Sequence, residues 1–284
     1  MSLHLLVPEG HLPEALISEY HTRSGEQLSA VFYTDEQRAV EDINHQDFDL
    51  IAITDRMAYL LIQQNLLSPL PIEIKRLGLL DHKFLFHYYD PTNTYCWPYG
   101  WTLLGISWLH NPTLKNYPTR WIDLLSANYK IDYPPNDLLK TLIFQSLFHG
   151  SQAQASSFVN RPAVSFSVYI DTVSELLKRN EKEKNRLVIL PKDYSWITLF
   201  HWAIPQKSHE LEKIKTALLF LCTPQQQASI LSCNWLGAVT AEAYMKTAEI
   251  QRKSSLIYPP ATYLNLCRFF RMDHYLHKSD FQGL

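Results

Sequence analysis

The sequence has little glycine and cysteine, and it lacks the motifs that mark the common enzyme classes. Only 8 of its 284 residues are glycine, and no GxGxxG, Walker A, GxSxG or HExxH pattern occurs. None of the 4 cysteines forms a CxxC pair, and the 12 histidines follow no regular spacing. These absences argue against nucleotide, zinc and thioredoxin-like sites. We therefore expect no enzyme, no metal and no cofactor.

Long hydrophobic runs, basic runs and a targeting segment are missing as well. No stretch of about 18 uncharged apolar residues is present, so the sequence predicts no membrane-spanning helix. The net charge is −2 and no long basic run occurs, which excludes nucleic acid as the expected partner. No signal peptide is visible. Two explanations stay open: a secretory signal removed from in front of these residues, or a cytoplasmic protein.

What the sequence does contain is a regular alternation of short apolar runs and amphipathic stretches. Gly25 is placed to end the first helix, and Thr34 is the expected N-cap of the second. This order is typical of α/β folds, in which helices pack on a sheet. The expected strands are Leu3–Val7, Leu28–Tyr33, Phe48–Ile53, Ser165–Ile170, Leu187–Leu190 and Phe200–Ile204. The expected helices are Pro13–Tyr20, Thr34–Ile43, Arg56–Asn65, Trp121–Leu125, Leu138–Phe148, Thr172–Lys178, Leu211–Leu221 and Pro224–Leu231, with a helical tail from Tyr258.

Polar and aromatic side chains follow several of these strands. In an open α/β sheet, ligands bind beyond the carboxyl ends of the strands. A role limited to helix capping stays open for Thr54-Asp55 and for Asp171-Thr172. The candidate ligand contacts from position alone are His11, Thr54, Asp55, Arg56, Tyr99, Trp101 and Asp171.

Several segments of the sequence carry patterns that occur together, in the same order, in one known protein family. Residues 89–101 (YDPTNTYCWPYGW) contain a D-P-x-N-x-Y-x-x-P-Y-x-W-like pattern, and residues 48–70 (FDLIAITDRMAYLLIQQNLLSPL) read as a strand and a helix. Three further segments are Pro118–Leu125, Trp202–Pro205 and Ile257–Pro260. Together these segments resemble the family of periplasmic spermidine/putrescine-binding proteins.

The resemblance implies a two-lobed type 2 periplasmic binding protein, with each lobe a mixed sheet flanked by helices. Lobe 1 would hold residues 1–104 and 203–284, and lobe 2 would hold residues 105–202. Such a protein is a periplasmic, monomeric receptor that holds a small ligand in the cleft between its lobes. Its partner would be an ABC permease. A polyamine or other amine would lie against aromatic walls, with its ammonium groups fixed by carboxylates.

The resemblance also assigns roles to individual residues. Tyr169 falls on the family's stacking tryptophan, and Asp137 lies one residue from a family carboxylate position that is Leu138 here. The expected walls are Tyr99, Trp101, Tyr169 and Tyr258, the expected carboxylates are Asp55 and Asp171, and His11 and Thr54 are further polar contacts.

Other family carboxylate positions are replaced, so two alternatives to a cationic ligand stay open. Thr141 and Phe200 stand at two such positions. Arg56 beside a helix start favours an anionic or phosphate-bearing ligand. The missing carboxylates favour a degenerate scaffold that recognises a protein.

Overall fold

The structure is a computed structural model that describes residues 2–75, 80–111, 117–126, 129–134 and 167–269. The chain forms two compact units, each built from separate stretches of sequence. Unit 1 comprises Met1–Thr102 and Thr198–Tyr258, and unit 2 comprises Leu103–Ile197 and Pro259–Leu284, as far as these ranges are described. In the predicted lobes, residues 259–284 belong to lobe 1 instead. The lobe division itself stays a prediction.

Strands and helices alternate through the described residues. The strands are β1 (Ser2–Pro8), β2 (Gln27–Tyr33), β3 (Leu50–Thr54), β4 (Leu67–Ser68), β5 (Cys96–Leu109), β6 (Lys130–Asp132), β7 (Ser167–Thr172), β8 (Arg186–Ile189), β9 (Trp196–Pro205) and β10 (Arg268–Phe269). The helices are α1 (Glu14–Ser24), α2 (Glu36–His45), α3 (Asp55–Gln63), α4 (Ile72–Lys75), α5 (Trp121–Ser126), α6 (Val173–Lys182), α7 (Leu211–Leu221), α8 (Pro224–Asn234), α9 (Ala241–Lys246), α10 (Glu249–Arg252) and α11 (Ala261–Leu264), with a 3-10 turn at His82–Phe84.

The sheet of unit 1 is mixed. Strand β1 lies between β2 and β3 and is parallel to both. Strand β9 runs antiparallel to β3, with Ile53 opposite His201, and β4 adds to β9 on the unit's sheet. Every residue of β3 is buried, as expected for a central strand covered on both faces. One apolar core cluster of this unit packs α2 and α3 against that strand.

Unit 2 has its own mixed arrangement of strands. The described order is β6-β7-β5-β8, in which β7 and β8 are both antiparallel to β5 and β6 is parallel to β7. Gly105 on β5 permits close packing, because an added Cβ would lie 3.0–3.2 Å from Leu176, Val173 and the Ile189 carbonyl. Helix α6 therefore packs tightly on β5.

Two strands belong to both units. Strand β5 begins in unit 1 and ends in unit 2, whereas β9 begins in unit 2 and ends in unit 1. All residues of β9 and all but the last of β5 are buried. The sequence predicted a shorter strand at Phe200–Ile204, and the structure extends it to Trp196–Pro205.

Local side chains set the helix ends. Gly25 ends α1 with φ 73, the left-handed conformation that glycine adopts without strain. Asp35, and not the predicted Thr34, caps α2, because its carboxylate accepts hydrogen bonds from the backbone N–H groups of Gln37 and Arg38. Thr54 and Thr172 cap α3 and α6 through their hydroxyl groups.

The segment that carries the family resemblance is organised by Asp90. Its carboxylate accepts backbone N–H bonds from Thr94, Tyr95 and Cys96 at 2.8, 2.8 and 2.9 Å. Asn93 takes a left-handed conformation with φ 48, which asparagine tolerates better than most residues. The aspartate and asparagine of this motif therefore shape the turn that leads into β5.

Several sequence expectations meet limits or corrections here. The predicted helix Leu138–Phe148 lies outside the described residues. The tail from Tyr258 contains the short helix α11 and the strand β10, so it is only partly helical as far as residue 269. Of the four free cysteines, Cys96 and Cys222 are buried, but Cys233 is exposed and Cys267 is partly exposed. None of the described helices has the length and apolar character needed to cross a membrane.

Candidate functional site

Three predicted site residues lie together in unit 1, where β3 ends and α3 begins. Thr54 caps the helix, with its hydroxyl 3.4 Å from the backbone N of Met57. Asp55 and Arg56 are the first residues of the helix, and both side chains are almost fully buried. Ionised groups taken out of water need compensating partners, so their contacts decide what they can do.

Arg56 is bound by carboxylates of its own chain. Its Nε donates to Oε2 of Glu36 at 3.0 Å and its Nη2 to Oε1 of Glu36 at 2.6 Å, a bidentate pair. Its Nη1 donates to the hydroxyl of Thr198 at 2.9 Å and lies 3.6 Å from Oδ1 of Asp55. This network neutralises the guanidinium internally, which removes the main support for an anion site at Arg56.

Asp55 retains an unused acceptor. Its Oδ1 accepts the backbone N–H of Arg56 at 3.1 Å, whereas its buried Oδ2 has no hydrogen-bond partner in the described part of the chain. The pKa of Asp55 is raised to about 7 mainly by burial, with Glu36 adding to the rise and Arg56 and a backbone hydrogen bond from Leu199 opposing it. The carboxyl group therefore titrates near neutral pH, and a cationic donor at Oδ2 would favour its ionised form.

His11 and Tyr99 form a second group in unit 1. The Nδ1 atom of His11 lies 2.6 Å from the hydroxyl of Tyr99, and both residues are buried. The His11 ring packs at 4.6 Å on Phe200, and the Tyr99 ring stacks at 4.9 Å on Trp202. Burial raises the pKa of Tyr99 well above its ordinary value. This hydroxyl therefore stays protonated and can serve as a hydrogen-bond donor or acceptor.

Trp101 and Tyr258 form a third group, whose contacts are structural. The indole N–H of Trp101 donates to the carbonyl of Ala238 at 2.9 Å, and the Tyr258 hydroxyl accepts from the backbone N of Ala238 at 2.9 Å. The Trp101 ring stacks on Phe84 at 5.8 Å and meets the edge of Tyr258 at 6.0 Å. The polar atoms of both side chains bind the backbone of Ala238. The predicted roles of Trp101 and Tyr258 as walls of a ligand site stay predictions.

His201 is a buried histidine with a hydrogen-bond partner at only one of its two ring nitrogens among the described residues. The Nε2 atom of His201 lies 2.9 Å from the hydroxyl of Tyr89, whereas its buried Nδ1 has no hydrogen-bond partner among the described residues. Burial, together with the nearby His87, lowers the pKa of His201 to about 3. The imidazole is therefore neutral at physiological pH.

The predicted site residues of unit 2 lie together on β7. Tyr169 and Asp171 are two residues apart on this strand, so their side chains lie on the same face of it. Oδ1 of Asp171 also accepts the backbone N–H of Thr172 at 2.7 Å. Burial raises the pKa of Asp171 to about 7, Glu175 adds to this rise, and the Thr172 bond and Arg179 oppose it. The N-cap of α6 is Thr172, so capping does not account for Asp171.

The sequence pattern did not identify Glu36 and Arg179, although these side chains contact the predicted site residues Arg56 and Tyr169. Glu36 was placed in an ordinary helix, and only the strand order brings it to Arg56. Arg179 follows the predicted helix Thr172–Lys178 directly and received no role, yet its Cζ lies 3.8 Å from the centre of the Tyr169 ring. The predicted contact Asp137 lies outside the described residues.

Comparison with known proteins reveals likeness in structure and not in sequence. No protein-family model and no curated sequence matches the chain. A putative spermidine/putrescine ABC transporter from Listeria monocytogenes is similar over 98% of this chain and 95% of its own, with 16% identity and TM-score 0.82. The spermidine/putrescine ABC transporter substrate-binding protein PotD of Streptococcus pneumoniae is similar over 95% and 93%, with 14% identity and TM-score 0.74. The PBP AgtB of A. tumefaciens, in complex with agropinic acid, is similar over 96% and 93%, with 11% identity and TM-score 0.70.

These likenesses establish the fold. They confirm the expected mixed α/β architecture of a type 2 periplasmic binding protein, and the expected structural resemblance to spermidine/putrescine-binding proteins. At 11% to 16% identity, the chain shares the fold of these proteins but little of their sequence.

Proposed function

We propose that this chain, which has the fold of ABC-transporter substrate-binding proteins, is a solute receptor that binds a small amine and delivers it to an ABC permease. The structural likeness to two spermidine/putrescine transporter proteins over nearly the whole chain supports this role. In this role the receptor acts as a monomer in the periplasm. The binding step involves no chemical conversion of the ligand.

The observation that carries the proposal is the Tyr169–Asp171 pair on β7. A partly exposed aromatic ring and a buried carboxylate lie two residues apart on one face of the strand. The carboxylate offers an ammonium group a charge-assisted bond, and the ring, which already contacts the Arg179 guanidinium, offers it apolar packing and cation–π attraction. The raised pKa of Asp171 indicates that its negative charge is under-compensated without a ligand.

Asp55 is the second carboxylate of the proposal. Its unpaired, buried Oδ2 is a ready acceptor for a donor group of the ligand. Arg56, in contrast, is already paired with Glu36, which argues against a phosphate-bearing ligand. The fold alone does not define the ligand, because AgtB shares the fold and its structure contains agropinic acid.

Replacing Asp171 with asparagine tests the proposal. A charge-assisted hydrogen bond contributes about 1.5–3 kcal/mol, so we expect Asp171→Asn to weaken putrescine binding by about 10-fold or more. Isothermal titration calorimetry measures the effect on each purified variant. Asp47→Asn is the matched control, because Asp47 is exposed and its loss removes the same charge. Equal affinities of the Asp171 variant and the wild type would contradict the assigned role.

A thermal-shift screen tests the function as a whole. A ligand that binds only the folded protein raises the unfolding midpoint by mass action. We expect a rise with putrescine, spermidine or related amines and none with phosphate compounds. A protein whose midpoint moves with none of these would instead support the scaffold alternative, and fractionation of cells that make the native protein would test its periplasmic location.

A further inference from the structure

The aromatic ring that the proposed function assigns to the ligand already holds a cation. Cζ of Arg179 lies 3.8 Å from the centre of the Tyr169 ring, a close cation–π contact. Arg179 projects from α6, the helix that follows β7 directly along the chain. The guanidinium therefore contacts the Tyr169 ring, and the Asp171 carboxylate lies on the same strand face two residues further along β7.

The acidic residues one helical turn away from Arg179 are paired with other cations. Glu175, at i−4, forms an ion pair with Lys178 at 2.8 Å. Glu183, at i+4, forms an ion pair with Arg186 at 2.9 Å. Within the described ranges, Arg179 itself makes no ion pair, although its charge lowers the pKa of Asp171, and its side chain is only partly exposed. Because no carboxylate in those ranges binds its planar fork of N–H donors directly, the fork can bind a carboxylate of the ligand, the group whose geometry it fits best.

We propose that Arg179 is a specificity-determining residue that binds a carboxylate of the ligand. The Asp171 carboxylate and the Arg179 guanidinium lie beside the same tyrosine. This pair suits a zwitterion, which carries both charges, better than a plain diamine, which carries only positive charge. Asp171 binds the ammonium group, and Arg179 binds the carboxylate beside it. The receptor thus takes an amine that also carries a carboxylate, as in an amino acid. This inference rests on the proposed function, because it assumes that Tyr169 and Asp171 contact the ligand.

Ornithine and putrescine make a matched pair of probes. Ornithine is putrescine with one carboxylate added at the carbon that bears an amine, so the difference between their affinities isolates the carboxylate contact. Calorimetric titrations of both compounds would use the wild-type protein and the variants Arg179→Gln and Asp171→Asn. Lys182→Gln is the control variant, because Lys182 is an exposed cation at the end of the same helix.

We expect the wild type to bind ornithine at least about 10-fold more tightly than putrescine, the equivalent of one charge-assisted bond. Arg179→Gln should abolish that preference by weakening ornithine alone, because putrescine has no carboxylate to lose. Asp171→Asn should weaken both compounds, and Lys182→Gln should change neither. An unchanged thermal midpoint of the unliganded Arg179 variant would show that it folds normally.

The two proposals fail in different ways. If putrescine binds as tightly as ornithine, or if Arg179→Gln leaves the preference unchanged, Arg179 does not contact a carboxylate, while the receptor proposal survives. If the wild type binds neither compound, the amine-receptor proposal fails and this inference fails with it.

Discussion

Replacing Arg56 with methionine separates a structural role for this residue from a role in ligand binding. The side chain is 1% exposed and donates hydrogen bonds to both carboxylate oxygens of Glu36 and to the Thr198 hydroxyl. Methionine fills a similar volume but provides no donor. The Arg56→Met variant would therefore leave the carboxylate of Glu36 buried without its counter-ion.

The expected loss follows from that burial. Removing one partner of a buried ion pair costs about 3–5 kcal/mol, because the remaining charge is uncompensated. Asp55 adds little to this loss, since its pKa is about 7 even with Arg56 present and rises further without it. At about 2–4 °C per kcal/mol for a domain of this size, the thermal midpoint should fall by roughly 6–20 °C.

Two further variants make this measurement decisive. Arg23→Met removes a surface pair with Glu19, whose side chains are 62% and 38% exposed, and should cost at most about 1 kcal/mol. The double variant Glu36→Gln/Arg56→Met removes the stranded charge and should recover much of the loss. If Arg56→Met lowers the midpoint no more than Arg23→Met does, the buried pair is not structural and Arg56 returns as a candidate ligand contact.

Two other predictions concern pH and close packing. Asp55 and Asp171 both have a folded-state pKa of about 7, above the ordinary value of 3.8. The folded protein thus holds protons at these two carboxyls that the unfolded chain has lost, so each carboxyl lowers the free energy of unfolding as pH rises from about 4 through 7, by at most about 4 kcal/mol. His87 and His201 act in the opposite sense below about pH 6.5, because burial lowers their pKa values. The test is therefore the difference in free energy of unfolding between the wild type and each Asp→Asn variant, measured by denaturant titration: it should fall across this range, and a constant difference would contradict the raised pKa. At Gly237, an added Cβ would lie 2.3 Å from the Trp101 ring, so Gly237→Ala should cost about 1–3 kcal/mol by overpacking. An unchanged thermal midpoint in the alanine variant would show that the ring can move aside.

Much of the local structure could be predicted because it depends on neighbouring residues. The helix Leu211–Leu221 was predicted with the limits that the structure shows, since its apolar positions follow helical spacing. Gly25 as a helix stop was also predicted, and capping at Thr54-Asp55 was an open alternative, because each acts within one turn of its own position. The misplaced cap at Thr34 shows the limit of such patterns. The adjacent Asp35 is an equally suitable residue type, and sequence alone did not choose between them.

The resemblance of residues 89–101 to a known family could also be read from sequence. The structure explains why that segment is so recognisable: one buried aspartate organises three backbone N–H groups in a row. Such a turn needs a particular residue at a particular spacing. The pattern therefore indicated the fold, whereas it carried no information about the ligand.

The partners of the buried charges were decided by tertiary structure alone. In the sequence, Arg56 stands beside a helix start and suggests an anion site, but the fold places Glu36 against it and neutralises it. Arg179 reads as a solvated cation, yet the turn from β7 into α6 lays it on Tyr169. Helix and strand positions depend on neighbours a few residues away. The state of a buried charge depends instead on whichever side chains the strand order brings within hydrogen-bond distance, and this order is a property of the whole fold.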